Sequence, residues 1–305
     1  MKVTVLYGGP SAEREVSLVS GAAVIEALKS MGHDVFASDV SPDDLSGLDH
    51  FAEVVFPVLH GRFGESGELQ EILESRHLRF VGSGSKASRI GIDKLASKRM
   101  WESAGLPVPA CQLITRQDYH PGFGPDRIAP PCVVKAVDSG SSIDVYICKT
   151  ADDARRACSL VLENHDRALV ETFIDGIELT VAILEEQALA PIRISTTREF
   201  YDFEAKYKGN YTTYDFNLGI DESVVKQVKS LAQAAHQTIG CRDLSRVDIM
   251  LDKQNRPHLL EINTIPGFTP KSLLPKAAAH AGIGFGQLVD RLVRRAASRS
   301  LDAAA

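Results

Sequence analysis

The amino-terminal segment Lys2-Val3-Thr4-Val5-Leu6-Tyr7-Gly8-Gly9-Pro10 has the composition of a buried β-strand that ends in a tight turn. Apolar residues then recur at three- and four-residue spacings over Val16–Leu28, and Gly32 ends this helical pattern. Further strand patterns follow at 35–40 and 54–59. Such alternation predicts a parallel sheet with helices on its faces.

Polar clusters follow two of these predicted strands. Gly8–Glu15 comes after the first strand, and His60–Glu68 comes after the third. In open parallel sheets, ligands bind outside the carboxyl ends of the strands. Both clusters are therefore predicted to line a ligand site.

The pattern changes after Asp93, where strands no longer alternate one for one with helices. Helices are predicted over 94–104, 151–162, 222–239 and 285–297, and strands over 132–137, 144–148, 168–173, 178–184, 246–251 and 257–261. The stretch Tyr201–Gly219 is aromatic and polar without either period, which is typical of a functional loop. We predict an α/β part and an α+β part, in modules over 1–93, 94–178 and 179–305.

Composition excludes several classes of protein. The 305 residues are 44% hydrophobic, with 34 Lys and Arg against 40 Asp and Glu and a formal net charge of −6. A disordered chain is poorer in apolar residues, and a protein that binds nucleic acid through phosphate contacts is usually basic. No apolar run approaches the roughly 20 residues of a membrane helix, and Met1–Tyr7 is too short for a signal peptide. We therefore expect neither a nucleic-acid partner nor membrane association.

The cysteines are odd in number and form no C-x-x-C pair. They are Cys111, Cys132, Cys148, Cys158 and Cys241. Such usage predicts reduced, mostly buried thiols, which is typical of a cytoplasmic protein.

Gly82–Ala87 fits the dinucleotide-binding pattern G-x-G-x-x-A after a short strand. The signal is weak, because it comes late in the βαβ series and the acidic residue about 20 positions on is not clearly at a strand end. A tight turn into a helix is the favoured interpretation. A nicotinamide-dependent oxidoreductase is the alternative that rests on this motif alone.

Two carboxylates and an amide occur on neighbouring predicted strands near the carboxyl end. Glu261 and Asn263 are two residues apart, so their side chains share one face of a strand, and Asp248 on an adjacent antiparallel strand would meet them there. This all-oxygen set suits Mg²⁺ bridged to phosphates. Like charges that face each other across a sheet destabilise it unless a cation offsets them. A metal site is therefore favoured over a solvated carboxylate pair.

Three lysines stand where an anion would stabilise them. Lys94 opens a helix, where the dipole disfavours its charge, and Lys135 lies in an otherwise apolar strand. Lys206 lies in the aromatic loop. With Mg²⁺, these cations would neutralise a polyphosphate as phosphoryl transfer requires, although each alone is also compatible with a surface lysine. The nearby Gly140-Ser141-Ser142 offers N–H groups and hydroxyls to phosphates.

Several motifs along the chain occur together in one known family. They are Gly8-Gly9-Pro10-Ser11-Ala12-Glu13-Arg14-Glu15-Val16-Ser17, Leu59-His60-Gly61-Arg62-Phe63-Gly64-Glu65, Gly82-Ser83-Gly84 with Asp93-Lys94, Tyr201-Asp202-Phe203-Glu204-Ala205-Lys206-Tyr207, and Glu261-Ile262-Asn263-Thr264-Ile265-Pro266-Gly267-Phe268-Thr269. On these residues the chain resembles the D-alanine–D-alanine ligases of the ATP-grasp superfamily, nearly from end to end. The resemblance implies an ATP-grasp fold with an N-terminal, Rossmann-like parallel-sheet domain.

The resemblance also implies a role for each matching residue. For ATP it implies phosphate binding by Lys94 and Lys135, and contacts to the adenine amino group and the ribose by Glu171 and Glu178; Lys206 joins this set on its charge alone. For the metal, usually two Mg²⁺ or Mn²⁺ ions, it implies Asp248, Glu261 and Asn263. For the two D-alanines it implies Glu13 with Ser141 and Tyr207, His60, the oxyanion groups Arg246 and Gly267, and Ser272 with Leu273.

The implied activity is the ATP-dependent joining of two D-alanines through a D-alanyl phosphate, for peptidoglycan synthesis, cell-wall biogenesis and cell shape. The implied partners are D-alanine, ATP and a second copy of the chain in a homodimer. Two alternatives stay open: a ligase that joins D-alanine to D-lactate or D-serine, and a weakened, non-catalytic homologue. The lid is expected in Tyr201–Gly219, because water would destroy an acyl phosphate.

The chain departs from the family pattern in places. Residues 135–144 keep the serine pair, but Asp144 stands where the family has glycine, and it is expected to add a negative charge near the phosphates. Asp215-Phe216-Asn217 replaces the usual Pro-Ala of the lid, and Lys271 replaces a common histidine beside the second-substrate site.

Overall fold

The computed structural model describes residues 1–120, 124–140, 144–196 and 212–300. Within them the strands form three sheets, one parallel and two antiparallel. The mixture of an α/β part with an α+β part agrees with the predicted fold class.

The parallel sheet is built from the first residues of the chain. Its strands are β1 (Lys2–Tyr7), β2 (Asp34–Asp39) and β3 (Val54–Pro57), in the order β2-β1-β3. Helix α1 (Arg14–Ser30) connects β1 to β2, so the predicted βαβ rhythm is confirmed. The short strand predicted near Phe80 is reduced to a single bridge with Val55.

Short helices connect this sheet to the rest of the chain. They are a 3₁₀ turn (Ser46–Asp49), α2 (Arg62–Glu65), α3 (Glu68–Ser75), α4 (Ser85–Ile92) and α5 (Lys94–Ser103). The Asp93 side chain caps α5 by accepting from the Ala96 N–H at 2.8 Å, and its other oxygen accepts from Arg167 at 2.7 Å. This cap fixes where Lys94 enters the helix.

A four-stranded antiparallel sheet follows, with α6 packed on one face. Its strands are β4 (Cys111–Thr115), β5 (Cys132–Ala136), β6 (Val145–Cys148) and β7 (Arg167–Thr172), in the order β4-β7-β5-β6. Helix α6 (Ala151–Asn164) begins with a capping box between Thr150 and Asp153. The opposite face of the sheet carries Val133, Lys135 and Glu171 and lines a cavity.

The largest sheet is antiparallel and holds the carboxyl-terminal strands. These are β8 (Gly176–Leu184), β9 (Gln187–Ala188), β10 (Ile192–Thr196), β11 (Thr212–Asp215), β12 (Leu244–Asp252) and β13 (Pro257–Asn263). Their order is β11-β10-β8-β12-β13, with β9 paired to β8. The helices here are α7 (Glu222–Ile239), α8 (Leu273–His280) and α9 (Phe285–Ala297).

The first sheet and the last elements of the chain share one hydrophobic core. Val3 and Phe56 of the parallel sheet lie in the same buried cluster as Leu184 of β8, Leu274 of α8 and Leu292 of α9. Segments far apart in sequence are thus packed together. The module limits 1–93, 94–178 and 179–305 stay a prediction.

The Gly82-Ser83-Gly84 motif is part of this junction. The Gly82 N–H donates to Asp243 Oδ2 at 2.8 Å, and Arg242 Nε donates to the Gly82 carbonyl at 2.7 Å. Helix α4 begins at Ser85, directly after the turn. The favoured interpretation, a tight turn into a helix, is confirmed, because this turn is bound to protein rather than open to a dinucleotide.

The described residues contain no helix that is long and apolar enough to cross a membrane. All five cysteines are free thiols, four of them buried, as predicted. Burial raises the pKa of Cys148 to about 12 and that of Cys158 to about 11. These thiols therefore remain protonated at neutral pH.

Buried His236 predicts a loss of stability in acid. Its Nδ1 pairs with Ser245 Oγ at 2.7 Å, and burial lowers its pKa from 6.5 to about 4. A histidine held neutral stabilises the fold above its unfolded pKa, and this contribution is lost as the pH falls from about 6.5 to about 4, at most about 3 kcal/mol. Urea unfolding at pH 7.5 and 5.0 should show the difference between wild type and His236→Gln shrinking by about 2 kcal/mol. An unchanged difference, or an equal trend for exposed His50→Gln, would contradict this expectation.

Candidate active site

Two cavities meet at the edge of the largest sheet. The first, of about 460 Å³, lies between the parallel sheet and the carboxyl-terminal elements. The second, of about 420 Å³, lies between the two antiparallel sheets. Both are lined by Lys94, Ser139, Ile194, Asp248 and Glu261. The two cavities therefore adjoin at the two carboxylates.

The first cavity receives Glu13 and His60 from the two polar clusters that follow β1 and β3. Ser11 holds the two clusters together, because its hydroxyl donates to the His60 carbonyl at 2.7 Å and accepts from the Glu13 N–H at 3.1 Å. Gly61 has φ +84, and a Cβ there would lie 2.5 Å from the Ser11 Cβ, so this close approach requires glycine. The prediction that both clusters line one site is confirmed.

One ring nitrogen of His60, Nε2, is available for a hydrogen bond inside this cavity. It is 6% exposed, and its Nδ1 lies 3.7 Å from Glu65 Oε1. Its buried Nε2 has no hydrogen-bond partner among the residues that the structure describes. A buried polar atom of this kind is costly unless a ligand satisfies it. The arrangement fits a polar group of a small substrate.

The far wall of the first cavity is the turn before α8. Ser272 precedes the helix, Leu273 begins it, and both line the cavity together with Gly267 and Lys271. The Ser272 hydroxyl pairs with Thr269 Oγ1 at 2.9 Å. The first backbone N–H groups of a helix have no partner within the helix and suit an anion such as a carboxylate.

The three predicted metal ligands lie on paired strands. Asp248 of β12 is directly opposite Glu261 of β13, and Arg246 is opposite Asn263. All of them line the first cavity, and the two carboxylates line the second as well. The predicted meeting of these side chains on one face is therefore confirmed.

Protein cations already offset the two carboxylates. Arg246 donates to both oxygens of Asp248, with Nε–Oδ1 at 3.0 Å and Nη2–Oδ2 at 2.9 Å, and Thr180 donates to Oδ1 at 2.6 Å. Lys94 Nζ lies 3.3 Å from Glu261 Oε2. The carboxylates are thus offset by cations, as expected, but Arg246 and Lys94 supply the positive charge, so charge repulsion by itself does not distinguish a metal site.

The donor set itself still suits a divalent cation. Within the described ranges no three His, Cys, Asp or Glu side chains lie close enough to form a metal site. Two opposed carboxylates with the Asn263 amide nevertheless form the partial oxygen set that Mg²⁺ uses together with substrate phosphates and water. Asn263 Oδ1 now accepts from the Ile265 N–H at 3.0 Å.

The second cavity combines apolar walls with buried charges. Its lining includes Val133, Val145 and Met250 as well as Lys135, Glu171 and Glu178. Lys135 is 7% exposed, with Nζ 2.8 Å from Glu171 Oε2. Burial alone would raise the pKa of Glu171, but Lys135 and Lys98 together bring it below its ordinary value. Apolar walls beside a cation suit a nucleotide.

Part of the predicted site falls outside the described residues. Ser141, Lys206 and Tyr207 lie in this part of the sequence, as do residues 201–211 of the predicted lid. Within the remainder of that stretch, 212–215 form β11 rather than a loop. The strand is held by antiparallel pairing with β10, a long-range contact that its local sequence does not indicate.

Asp144 does not face the second cavity. It is held by His165 Nε2, 2.9 Å from Oδ2, and by the Tyr146 hydroxyl, 3.3 Å from Oδ1. Val145 lines the cavity, so Asp144 and Tyr146 lie on the other face of the sheet, beside α6. The expectation of a negative charge near the phosphates is therefore wrong. Its φ of 54° explains why glycine suits this position.

This geometry predicts the behaviour of two Asp144 variants. Glycine adopts the positive φ of this position without strain, and the charge that Asp144→Gly removes does not face the second cavity. ATP affinity should therefore stay within about twofold of wild type rather than tighten. Asp144→Ala keeps the Cβ at positive φ but removes the carboxylate that pairs with His165 and Tyr146, and should lose about 1 kcal/mol or more of unfolding free energy. Urea unfolding and nucleotide titration check both. Tighter ATP binding by Asp144→Gly would restore the earlier expectation.

Sequence patterns missed several residues of the site. Lys98 is completely buried beside Glu171, Thr180 donates to Asp248, and Arg193 lines the second cavity. Each has an ordinary local pattern, on a helix or a strand. Only Lys98 had a usable signal: it lies on the face of α5 that also carries the buried residues Leu95 and Trp101, and a lysine on such a face is a candidate for a buried charge.

Comparisons with known proteins agree with this geometry. Residues 100–294 match the family model described as D-ala D-ala ligase C-terminus. The chain is 42% identical to a D-alanine–D-alanine ligase of Gluconobacter oxydans, covering 98% of this chain and 100% of that one. It is 40% identical to the ligase of Anaeromyxobacter sp. strain K, covering 98% of each.

The chain belongs to the D-alanine–D-alanine ligase family. Solved structures give the same result for the fold. A D-alanine–D-alanine ligase from Bacillus anthracis complexed with ATP superposes with a TM-score of 0.85 at 27% identity, covering 99% of each chain. VanG, a D-Ala:D-Ser ligase from Enterococcus faecalis, superposes with a TM-score of 0.84 at 25% identity, covering 97% and 99%. The resemblance read from the motifs is thus confirmed, and the architecture is that of these ligases.

Proposed function

We propose that this protein joins two D-alanines with ATP to form D-alanyl-D-alanine, ADP and phosphate, as a step of peptidoglycan synthesis. One observation carries the proposal: the two cavities share Asp248 and Glu261 at their boundary. A nucleotide in the second cavity would present its terminal phosphate there to an amino acid in the first. The relatives that are named D-alanine–D-alanine ligases, and the ATP complex among the similar structures, support it.

The nucleotide would lie between the two antiparallel sheets. Val133 and Met250 offer apolar contacts to the base, Glu171 its contact to the amino group, and Glu178 one to the ribose. Lys94, which pairs with Glu261, and Lys135, which pairs with Glu171, would bind the phosphates, with Lys206 joining from the lid. The charge of each lysine then has an anion to offset it.

The first D-alanine would lie between Glu13 and His60. Glu13 would bind its ammonium group, with Ser141 and Tyr207 in the same hydrogen-bond network, and His60 Nε2 would bind its carboxylate. One carboxylate oxygen attacks the γ-phosphorus, the bond to the bridging oxygen of ADP breaks, and a D-alanyl phosphate forms. Holding both partners at the shared boundary makes this step effectively unimolecular.

The second D-alanine would bind at the α8 end of the same cavity. Ser272 and the Leu273 N–H would hold its carboxylate. Its amine, after losing a proton, attacks the acyl carbon, the carbonyl oxygen becomes an oxyanion, and phosphate then leaves as the carbonyl re-forms. Arg246 and the Gly267 N–H would stabilise that oxyanion.

Asp248, Glu261 and Asn263 would hold magnesium, or manganese, in two sites. The ion supplies neutralisation of the transferring phosphoryl group when it is bound. To make room for it, Arg246 and Lys94 would release Asp248 and Glu261 and turn to the substrates. The two metal ions and the homodimer both stay predictions.

Release of phosphate tests the proposed function. Purified protein is incubated with Mg²⁺-ATP and D-alanine, then with D-alanine plus D-lactate or D-serine, and the products are identified by mass. The expected result is D-alanine-dependent phosphate release with D-alanyl-D-alanine as the main product. Absence of D-alanine-dependent turnover between pH 6 and 9 would refute the proposal.

A ligase that uses D-serine is the second candidate. The observation in its favour is the match to the D-Ala:D-Ser ligase, whose TM-score is 0.84, and Lys271 lines the cavity beside the second-substrate position. The mixed-substrate arm of the assay separates the two. A mixed D-alanyl-D-serine product in excess over the homodipeptide would favour this second candidate.

A further inference from the structure

One buried cation next to a carboxylate of the second cavity has no role in the reaction described above. Lys98 of α5 is 0% exposed, and its Nζ lies 3.0 Å from Glu171 Oε1 and donates to the Leu259 carbonyl at 3.2 Å. A lysine is almost never fully buried unless its charge is paired. The pairing here is with the same carboxylate that holds Lys135.

Glu171 thus stands between two lysines. Lys98 Nζ is 3.0 Å from one oxygen and Lys135 Nζ is 2.8 Å from the other. Lys98 is wholly enclosed and is absent from the cavity lining, whereas Lys135 and the buried Glu171 both line the cavity. Burial lowers the pKa of Lys98, and the Glu171 carboxylate opposes that shift, so the two charges depend on each other.

The charge count gives Lys98 a function. With Lys98 and Lys135 protonated and Glu171 ionised, the three side chains carry a net charge of +1. Without Lys98, the pair of Glu171 and Lys135 would be neutral, and both carboxylate oxygens would be available to draw Lys135 away from the cavity. A neutral pair attracts a polyphosphate far more weakly than a net cation does.

We propose that Lys98 is a positioning residue for nucleotide binding: by neutralising Glu171 from behind, it leaves the charge of Lys135 for the phosphates. The inference rests on the proposed function, since it presupposes a nucleotide in the second cavity. Lys98 itself does not touch the nucleotide. It acts through Glu171 and Lys135, so its removal affects phosphate-bearing ligands more than the nucleoside.

The test is titration of the full-length protein with Mg²⁺-ADP and with adenosine. Lys98→Met is expected to weaken ADP binding about 10- to 100-fold, the range that corresponds to one charge-assisted contact. Adenosine affinity should change less than about threefold. The matched control is Arg99→Met, which removes a cation from the exposed side of the same helix and should leave both affinities unchanged.

A double variant separates charge from packing. Lys98→Met with Glu171→Gln leaves Lys135 as the one charge of the three and should recover ADP affinity relative to Lys98→Met alone. If Lys98 only fills space, the double variant binds ADP no better than the single one. Removing the buried charges of Lys98 and Glu171 together also avoids leaving a carboxylate unpaired. If Lys98→Met does not fold, the double variant can therefore be titrated in its place.

Each outcome decides the inference. If the wild type binds Mg²⁺-ADP, three results would overturn the inference: equal ADP affinities of Lys98→Met and Arg99→Met, equal losses for ADP and adenosine, or an ADP-to-adenosine affinity ratio of the double variant no larger than that of Lys98→Met. The ratio is compared because Glu171 is also assigned the contact to the adenine amino group, so Glu171→Gln by itself weakens both ligands. Failure of the wild type to bind Mg²⁺-ADP would instead refute the proposed function. Thermal unfolding of each variant shows that the compared proteins are folded.

Discussion

The Glu261→Gln variant is expected to lose turnover by about 10³-fold while keeping its fold. Glutamine has the shape of glutamate but lacks the charge that would bind a divalent cation and orient Lys94, which lies 3.3 Å away. Lost neutralisation of the transferring phosphoryl group is worth several kcal/mol, and about 4 kcal/mol corresponds to 10³ in rate. Phosphate release under saturating D-alanine and Mg²⁺-ATP measures this effect.

Stability is expected to change little in this variant. Glu261 stands directly opposite Asp248, so removing its charge relieves a like-charge contact and offsets the lost pair with Lys94. Urea unfolding should agree with wild type within about 1 kcal/mol. Glu26→Gln, on the exposed side of α1, is the matched control and should be fully active. Activity of Glu261→Gln within tenfold of wild type would contradict the proposed role of the carboxylate.

The Arg246→Lys variant is expected to lose turnover by about 10²- to 10³-fold, the usual effect of removing one oxyanion donor. Lysine retains the positive charge, but it lacks the planar fork that now binds both oxygens of Asp248 at 3.0 and 2.9 Å. After release of Asp248, the lysine ammonium would also offer the oxyanion a point charge on a shorter side chain instead of the directed N–H groups of a guanidinium. The loss should appear in kcat, with KM for ATP nearly unchanged, in steady-state kinetics.

Arg246→Met should in addition destabilise the protein. Asp248 is 7% exposed, and leaving a buried carboxylate without its cation costs about 3 kcal/mol. Adding Asp248→Asn should recover the stability but not the turnover. Arg256→Lys is the control, because Arg256 makes a similar pair with Asp252 in the same sheet, away from both cavities. An Arg246→Lys enzyme with wild-type kcat would refute the oxyanion role.

The sequence by itself determined the elements and much of the chemistry. The period-2 and period-3.6 patterns placed β1, α1, α6, α7 and α9 close to their observed bounds, because each buries one face that its own residues specify. Asp248, Glu261 and Asn263 were found for a similar reason: strand alternation and antiparallel pairing leave little freedom once β12 and β13 are recognised.

Only the tertiary structure decided the contacts between segments that are distant in sequence. Asp144 turned out to face His165, because the face of a strand on which a residue lies depends on the register with β5 rather than on composition. Residues 212–215 became a strand through pairing with β10. Lys98 became a partner of Glu171, 73 positions away, because α5 packs against the sheet at that point. Local patterns encode which face is buried, but the charge balance of a site depends on which elements the fold brings together.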